Sequence, residues 1–222
     1  LFLDLTLDVC DQLEKLAAET ERLTQLEKSK VSDRLTQRIK VRGMIQELPN
    51  QLNILRASAS AEAYRKQRIY DRLVVLRKGV QTLCSALSQM TERSRTAAIL
   101  TFTTNINDKL SSLRKAEDNF SLYIGLEEQR RRTVISIVEN VVGTLTPTFV
   151  NASVIKSRAD DLRALFASPR EIDLAVQALR AMADAYSIAP SAAALMLAEP
   201  TLRATSPPGA SVVTNAPPLV KP

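Results

Sequence analysis

The residues of this chain best suited to chemistry are basic side chains grouped along the sequence. Three groups are candidates for binding phosphate or anionic lipid headgroups: Lys30, Arg34 and Arg38; Arg65, Arg68 and Arg72; and Arg130, Arg131 and Arg132. The first two groups have spacings of three or four residues, so each forms a stripe along one face of a helix. A second interpretation, which we favour, is a solvated helix face paired with the neighbouring carboxylates Glu27, Asp33 and Asp71.

The side chains needed for catalysis and metal binding are scarce. Histidine is absent from all 222 residues, which removes histidine triads, the common zinc sites and the usual general base near neutral pH. No glycine-rich loop with the spacing of a nucleotide-binding motif occurs. We therefore predict that the protein is not an enzyme and has no catalytic residues, no metal site and no cofactor.

The charge balance is modestly basic. Thirty Lys and Arg residues against 24 Asp and Glu give a formal net charge of +6, which permits a polyanionic partner without requiring one. Aromatic residues do not alternate with the basic ones, so nucleic-acid bases would find no stacking surface and nucleic acid is disfavoured as a partner.

The two cysteines, Cys10 and Cys84, are far apart and belong to no paired motif. We interpret them as buried free thiols in a reducing compartment, which predicts a cytoplasmic protein, peripheral to a membrane if its basic stripes bind lipid. Residues 1–10 are apolar but contain Asp4 and Asp8 and no basic residue, so we expect no signal peptide. No apolar run of about 18 residues occurs, so no ordinary transmembrane helix is expected.

The composition predicts an all-α fold. The chain has five Phe, four Tyr, no Trp and five Gly, whereas compact β or α/β domains need aromatic residues to fill layers and glycine for tight turns. We expect a long antiparallel helical hairpin or coiled-coil rod, or an elongated helical bundle. A small C-terminal helical subdomain and a disordered proline-rich tail complete the prediction.

One stretch has an uninterrupted two-per-heptad pattern. Its apolar residues, which we call the α2 seam, are spaced alternately by four and three: Ile69, Leu73, Leu76, Val80, Leu83, Leu87 and Met90. This spacing keeps one narrow stripe facing another helix. It predicts that the seam pairs with a helix of the same chain or of a second copy.

Two long helices are expected in the first 145 residues. The first runs from residue 1 to about 57, with a kink or short break near 43–49 because of Pro49. Its heptad phase slips at four positions: Leu26, Val31, Leu35 and Ile39. The small residues of 57–63 predict a hairpin turn. The second helix then runs over 61–145, continuous in the favoured interpretation and broken near Asn105 in the alternative.

The segment from Val134 to Ile155 has Glu139 as its only charge. As a membrane-inserting element it would use six aliphatic residues: Val134, Ile135, Ile137, Val138, Val141 and Val142. The interpretation we favour is that the helix ends near Thr144, Pro147 turns the chain, and the aliphatic residues pack a bundle.

The remaining chain predicts short helices and a tail. A helix is expected over 151–167, and Ser168, Pro169 and Glu171 form the start signal of another. That helix is expected to bury Ile172, Ala175, Val176, Leu179, Met182 and Tyr186. An alanine-rich helix follows Pro190, and six of the ten prolines lie from Pro200 onward. The predicted domains are therefore 1–150, 151–199 and 200–222.

Two functions fit these features. The first is a non-enzymatic scaffold or assembly protein that pairs long helices, self-associates through the α2 seam and docks a protein partner. The alternative is a membrane-active helical protein, which either binds anionic lipid through its basic stripes or inserts the 134–155 segment in the manner of a pore-forming toxin.

Overall fold

A computed structural model describes residues 1–26, 31–93, 97–145, 150–166 and 170–187. These ranges contain the helices α1 Phe2–Leu26, α2 Val31–Arg93, α3 Ala97–Thr144, α4 Ala152–Ala164 and α5 Arg170–Tyr186. No strand occurs in them. The prediction of an all-α helical bundle is confirmed.

Helix α2 is continuous where the sequence predicted a turn and a break. The expected turn at 57–63 is wrong, because four of these seven residues are alanine, the best helix former, and Ser58 and Ala59 are buried inside the helix. Within this stretch the Ser60 hydroxyl donates to the Arg56 carbonyl, four residues back in the same helix, at 3.1 Å. The expected break near Pro49 is also wrong, since Pro49 is exposed and lies inside α2 between two buried leucines.

The single helix expected over 61–145 is two helices. Helix α2 ends at Arg93 and α3 begins at Ala97, ahead of the alternative break near Asn105, which lies within α3. Threonine does not end the helix here, because Thr101 and Thr103 donate their hydroxyls to carbonyls four residues back. The expected end of the helix near Thr144 is confirmed.

Helices α2 and α3 pack against each other in an antiparallel arrangement. Three ion pairs join them: Arg77 with Glu117, Lys66 with Glu127 at 2.6 Å, and Arg56 with Glu139 at 2.5 Å. As the α2 residue number falls, the α3 number rises by nearly the same amount. The register is therefore constant along this hairpin.

The first core forms where α1 and α4 pack onto one part of the hairpin. Its largest fully buried side chains include Leu13 and Leu16 of α1, Leu55 of α2, Val134 of α3 and Leu162 of α4. Burying an aliphatic side chain of this size contributes about 1.5–3 kcal/mol. This core holds four helices together.

The second core forms where α5 packs onto the other part of the hairpin. It contains Leu73 of α2, Leu113 and Phe120 of α3, and Ala178 and Met182 of α5. Of the five described α5 residues that form or pack against this core, four are small: Ala175, Ala178, Ala181 and Ala185 contribute alongside Met182.

Residues 1–185 form one compact unit. The predicted domains 1–150, 151–199 and 200–222 stay a prediction. Helix α4 begins at its N-cap Asn151, whose side chain accepts from the backbone N–H groups of Ser153 and Val154. Arg163 near its other end bonds Glu14 at 2.7 Å, which ties α4 to α1. The helix expected at 190–199, the tail from 200, and the start signal at Ser168 and Pro169 lie outside the described residues.

Helix α5 buries a different face from the one predicted. Met182 is buried and Ala175 is half-buried as expected, but four of the predicted core residues are exposed: Ile172, Val176, Leu179 and Tyr186. The apolar arc of α5 is wide enough to offer two faces, and the one with smaller side chains faces the hairpin.

Candidate functional site

The α2 seam is in contact with helices of its own chain. Leu73 and Leu87 are buried, and the other five seam residues are half-buried. Ile69, Leu76 and Val80 pack against the second core, to which α3 and α5 contribute. The coiled-coil geometry predicted for this seam stays a prediction. Pairing of this seam with a second copy of the chain also stays a prediction.

The aliphatic segment considered for membrane insertion faces the first core. Val134, Val138 and Val141 are almost fully buried there, and the other three residues of the set, Ile135, Ile137 and Val142, pack against it. Across the described residues, none of the helices combines the length and the hydropathy that a membrane span requires.

The basic triplet 130–132 is engaged by glutamates of the same helix. Arg130 pairs with Glu127, and Arg131 and Arg132 pair with Glu128 at 2.8 and 2.9 Å. The Arg130 guanidinium also lies 5.5 Å from the centroid of the Phe166 ring. Arg130 therefore links α3 to the residues just beyond the end of α4, while Arg131 and Arg132 pair within α3.

A charged layer lies along the hairpin between the two cores. The Lys66 ammonium contacts Glu127 at 2.6 Å and Glu62 at 3.7 Å, and it lies 5.0 Å from the Tyr123 ring centroid. Burial raises the pKa of Glu62. The hydrogen bond that its carboxylate accepts from the Phe2 N–H at 2.9 Å and the charge of the nearby Lys66 both lower this pKa. The net result is a pKa below the usual range of a glutamate. The layer is a structural ion network that joins α2 to α3.

The basic stripe on the middle of α2 is exposed. Arg65, Arg68 and Arg72 are all exposed, and none of the ion pairs in the described part of the chain involves them. The Arg68 guanidinium lies 5.9 Å from the centroid of the Tyr64 ring. Of the other stripe, Arg34 is half-buried, Arg38 is exposed, and Lys30 lies outside the described residues.

A cleft of about 550 Å³ lies between α1 and the first turns of α2. Its apolar lining includes Leu23 of α1, Leu35 and Ile39 of α2, and Val150, and the exposed Arg38 and Arg42 lie along the same wall. Glu19 fixes the two helices beside it, accepting hydrogen bonds from Gln37 and Lys40. The apolar lining of this cleft can contact a row of apolar side chains, and the two arginines can contact acidic groups beside that row.

Sequence reasoning missed this cleft. Leu35 and Ile39 fall where the heptad phase slips, and we interpreted the slip as a local unwinding within one helix. The signal that could have found it is that Leu35 and Ile39 do not fall at the heptad positions of the rest of the helix. Arg38 follows Leu35 by three residues, which places a charge on the same side of the helix as this apolar pair.

Both cysteines of the chain lie among the described residues. Cys10 and Cys84 are buried and free, and burial raises the pKa of each thiol, which disfavours the nucleophilic thiolate. Within the described ranges, His, Cys, Asp and Glu nowhere cluster in threes to hold a metal ion.

Comparison with known proteins gives no relative: no family model matches the chain, and neither a curated protein nor a solved structure matches it.

Proposed function

We propose that this chain is a non-enzymatic helical scaffold that docks a protein partner in the cleft between α1 and α2. The main support is the exposure of Leu35 and Ile39, which are 60% and 64% exposed although both line that cleft. They lie one helical turn apart, so they form a continuous apolar row. Covering such a row removes apolar surface from water and favours association.

The partner we propose is an amphipathic helix with an apolar stripe flanked by carboxylates. A groove between two antiparallel helices accepts a third helix through side chains spaced i, i+3, i+4 and i+7. Arg38 and Arg42 are exposed one turn apart beside the apolar row, so acidic residues on the partner would meet opposite charge.

The test is selection of helical peptides of about 20 residues from a display library on the full chain. We expect the selected peptides to share aliphatic residues at helical spacing with Asp or Glu beside them. The double variant Leu35→Asp/Ile39→Asp should weaken their binding at least about tenfold, because each aspartate must be desolvated on docking.

The matched control is Val75→Asp/Leu122→Asp. These two residues are 70% and 54% exposed on α2 and α3 and do not line the cleft, so the selected peptides should bind this variant as they bind the wild type. Peptides that bind both double variants equally, or a selection that yields no binder, would rule out the cleft as the docking surface.

A second candidate function is attachment to an anionic membrane surface through Arg65, Arg68 and Arg72. It is supported by the exposure of all three and by the exposed Tyr64 beside Arg68. Headgroup attraction of this kind contributes roughly 1 kcal/mol per basic residue and weakens with salt.

Co-sedimentation with phosphatidylserine-containing vesicles at low and high salt tests this candidate. Attachment through the stripe predicts pelleting at low salt that Arg65→Glu/Arg68→Glu/Arg72→Glu abolishes and Arg38→Glu/Arg42→Glu preserves. No pelleting at either salt rules it out. Pelleting that persists at high salt would point instead to insertion of residues 134–155, which requires the first core to open.

We propose the cytoplasm as the place where the scaffold acts. Support comes from Cys10 and Cys84, which are free and buried on different helices, as in proteins of a reducing compartment.

A further inference from the structure

Helix α5 is apolar on two faces, of which only one is covered. Its small-residue face packs into the second core through Ala178, Met182 and Ala185. Its other apolar face, which we call the α5 face, has larger side chains exposed to solvent: Ile172 at 62%, Val176 at 37% and Leu179 at 47%. Folding usually buries the larger apolar residues first, so an exposed row of them on a packed helix marks an interaction surface.

The spacing of the α5 face is that of a helix-pairing seam. Ile172, Val176, Leu179 and the exposed Ala183 follow one another by four, three and four residues. This two-per-heptad pattern matches a single partner helix lying along α5. It is the same type of pattern as the α2 seam, but the α5 face is exposed.

We propose that the α5 face pairs with the α5 face of a second copy of this chain, with the two helices antiparallel across a twofold axis. In this register Ile172 lies opposite Ala183 of the other copy, and Val176 lies opposite Leu179. At each end of the contact the large Ile172 faces the small Ala183, and in the middle Val176 faces Leu179. The side-chain volume is therefore similar along the whole contact, which permits close packing.

The charges beside the seam select the antiparallel direction. Asp173 and Arg180 are exposed on the same flank of the α5 face. In the antiparallel register, Arg180 of the other copy lies two residues, about 3 Å along the helix axis, from the level of Asp173 and on the same side of the contact. That offset is within reach of an ion pair, and the twofold axis gives two identical ones. In a parallel pair each residue lies level with its own copy, so neither charge meets its opposite.

The contact is small, which sets the expected strength. One pair of four-turn helices buries less than the roughly 1,200 Å² of a standard interface, so the dimer should be weak and concentration-dependent. This inference uses a different surface from the α1–α2 cleft, so it stands or fails independently of the proposed function.

Sedimentation equilibrium of the full chain tests the pairing, with circular dichroism to confirm unchanged helicity. The wild type should dimerise progressively as its concentration rises toward about 1 mM. Leu179→Asp should raise the dissociation constant at least about tenfold, while Val75→Asp, which changes an exposed valine outside α5, should leave it unchanged.

A charge exchange distinguishes the antiparallel register from every other contact. Asp173→Arg alone and Arg180→Asp alone should each weaken the homodimer, because each places like charges opposite one another. Mixing the two single variants should restore association as a heterodimer, and the double variant Asp173→Arg/Arg180→Asp should restore the homodimer. A wild type that stays monomeric to about 1 mM, a dimer insensitive to Leu179→Asp, or a mixture that forms no heterodimer would overturn the proposal.

Discussion

Arg131 is a charged residue whose guanidinium is almost fully buried. It is 2% exposed, its Nη2 donates to Glu128 at 2.8 Å, and its Nε and Nη1 are buried without a hydrogen-bond acceptor among the described residues. A buried guanidinium is costly unless opposite charge lies close by. Its bond to Glu128 lowers the pKa of that carboxyl, and its charge also lowers the pKa of Glu62. The charged layer therefore depends on ionised glutamates.

Replacing Glu62 by glutamine should reduce stability at neutral pH and make it less sensitive to acid. Burial opposes ionisation of Glu62, but the Phe2 N–H and Lys66 outweigh it, so the folded-state pKa lies below the unfolded value. A lowered pKa stabilises the fold above the unfolded pKa of about 4.3, and this contribution is lost as pH falls through the folded pKa. We expect Glu62→Gln to lower the free energy of unfolding at pH 7, by an amount that shrinks as the pH falls.

Urea denaturation between pH 7 and pH 3 measures this effect. The wild type and Glu62→Gln should converge in stability at the acid end. The control is Glu21→Gln, which changes an exposed carboxylate of α1 and should alter stability by less than about 0.5 kcal/mol at any pH. A constant difference between wild type and Glu62→Gln across the range would contradict the role assigned to this carboxylate.

At the scale of single helices, the stability of α4 depends on the hydrogen bonds of its first turn. The Asn151 side chain accepts from the N–H of Ser153 at 3.0 Å and of Val154 at 3.5 Å, which satisfies donors that a helix start leaves unpaired. Helix α4 is 13 residues long, too short to be stable without this cap and its contacts with the first core.

Asn151→Ala should therefore destabilise the protein by about 1 kcal/mol, whereas Asn151→Asp should keep the cap and lose little. Thermal or urea unfolding compares the two variants with the wild type. Equal losses for alanine and aspartate would show that the side-chain acceptor is not what holds the first turn.

The start of α4 and the end of α3 could be predicted from the sequence because local chemistry determines them. The break between α1 and α2 could not, since no Pro or Gly lies between Leu26 and Val31. Pro49 gave a misleading signal: Leu48 and Leu52 bury so much surface on one side that the helix continues past the proline. For α5, the sequence showed a wide apolar arc but not which part of it would be covered.

At the scale of the whole described chain, one helical hairpin supports two cores separated by a charged layer. The first core is closed by α1 and α4, and the second by α5. The periodicity of the sequence predicted which face of each hairpin helix is apolar. It did not predict which helices cover those faces, because that depends on contacts between segments far apart in the sequence. The cleft and the α5 face are two apolar surfaces that this packing leaves exposed.

The two cores should respond separately to mutation. Phe120→Ala, which removes a 2% exposed ring from the second core, should cost about 3–5 kcal/mol. Hydrogen exchange by mass spectrometry should show faster exchange in α5 and little change in α1 and α4. Leu13→Ala in the first core is the matched variant and should give the reverse pattern. Loss of protection spread evenly over all five helices in both variants would contradict two cores.

We propose that the α2 seam pairs within one chain and that partners bind the cleft and the α5 face. Carbodiimide cross-linking of an equimolar mixture of ¹⁴N- and ¹⁵N-labelled chains tests it directly, because Lys66 lies 2.6 Å from Glu127 and Lys40 lies 2.7 Å from Glu19. We predict that linked peptides from these pairs are both light or both heavy. Mixed light–heavy links at the same positions would mean that the long helices pair between copies, and the claim would be wrong.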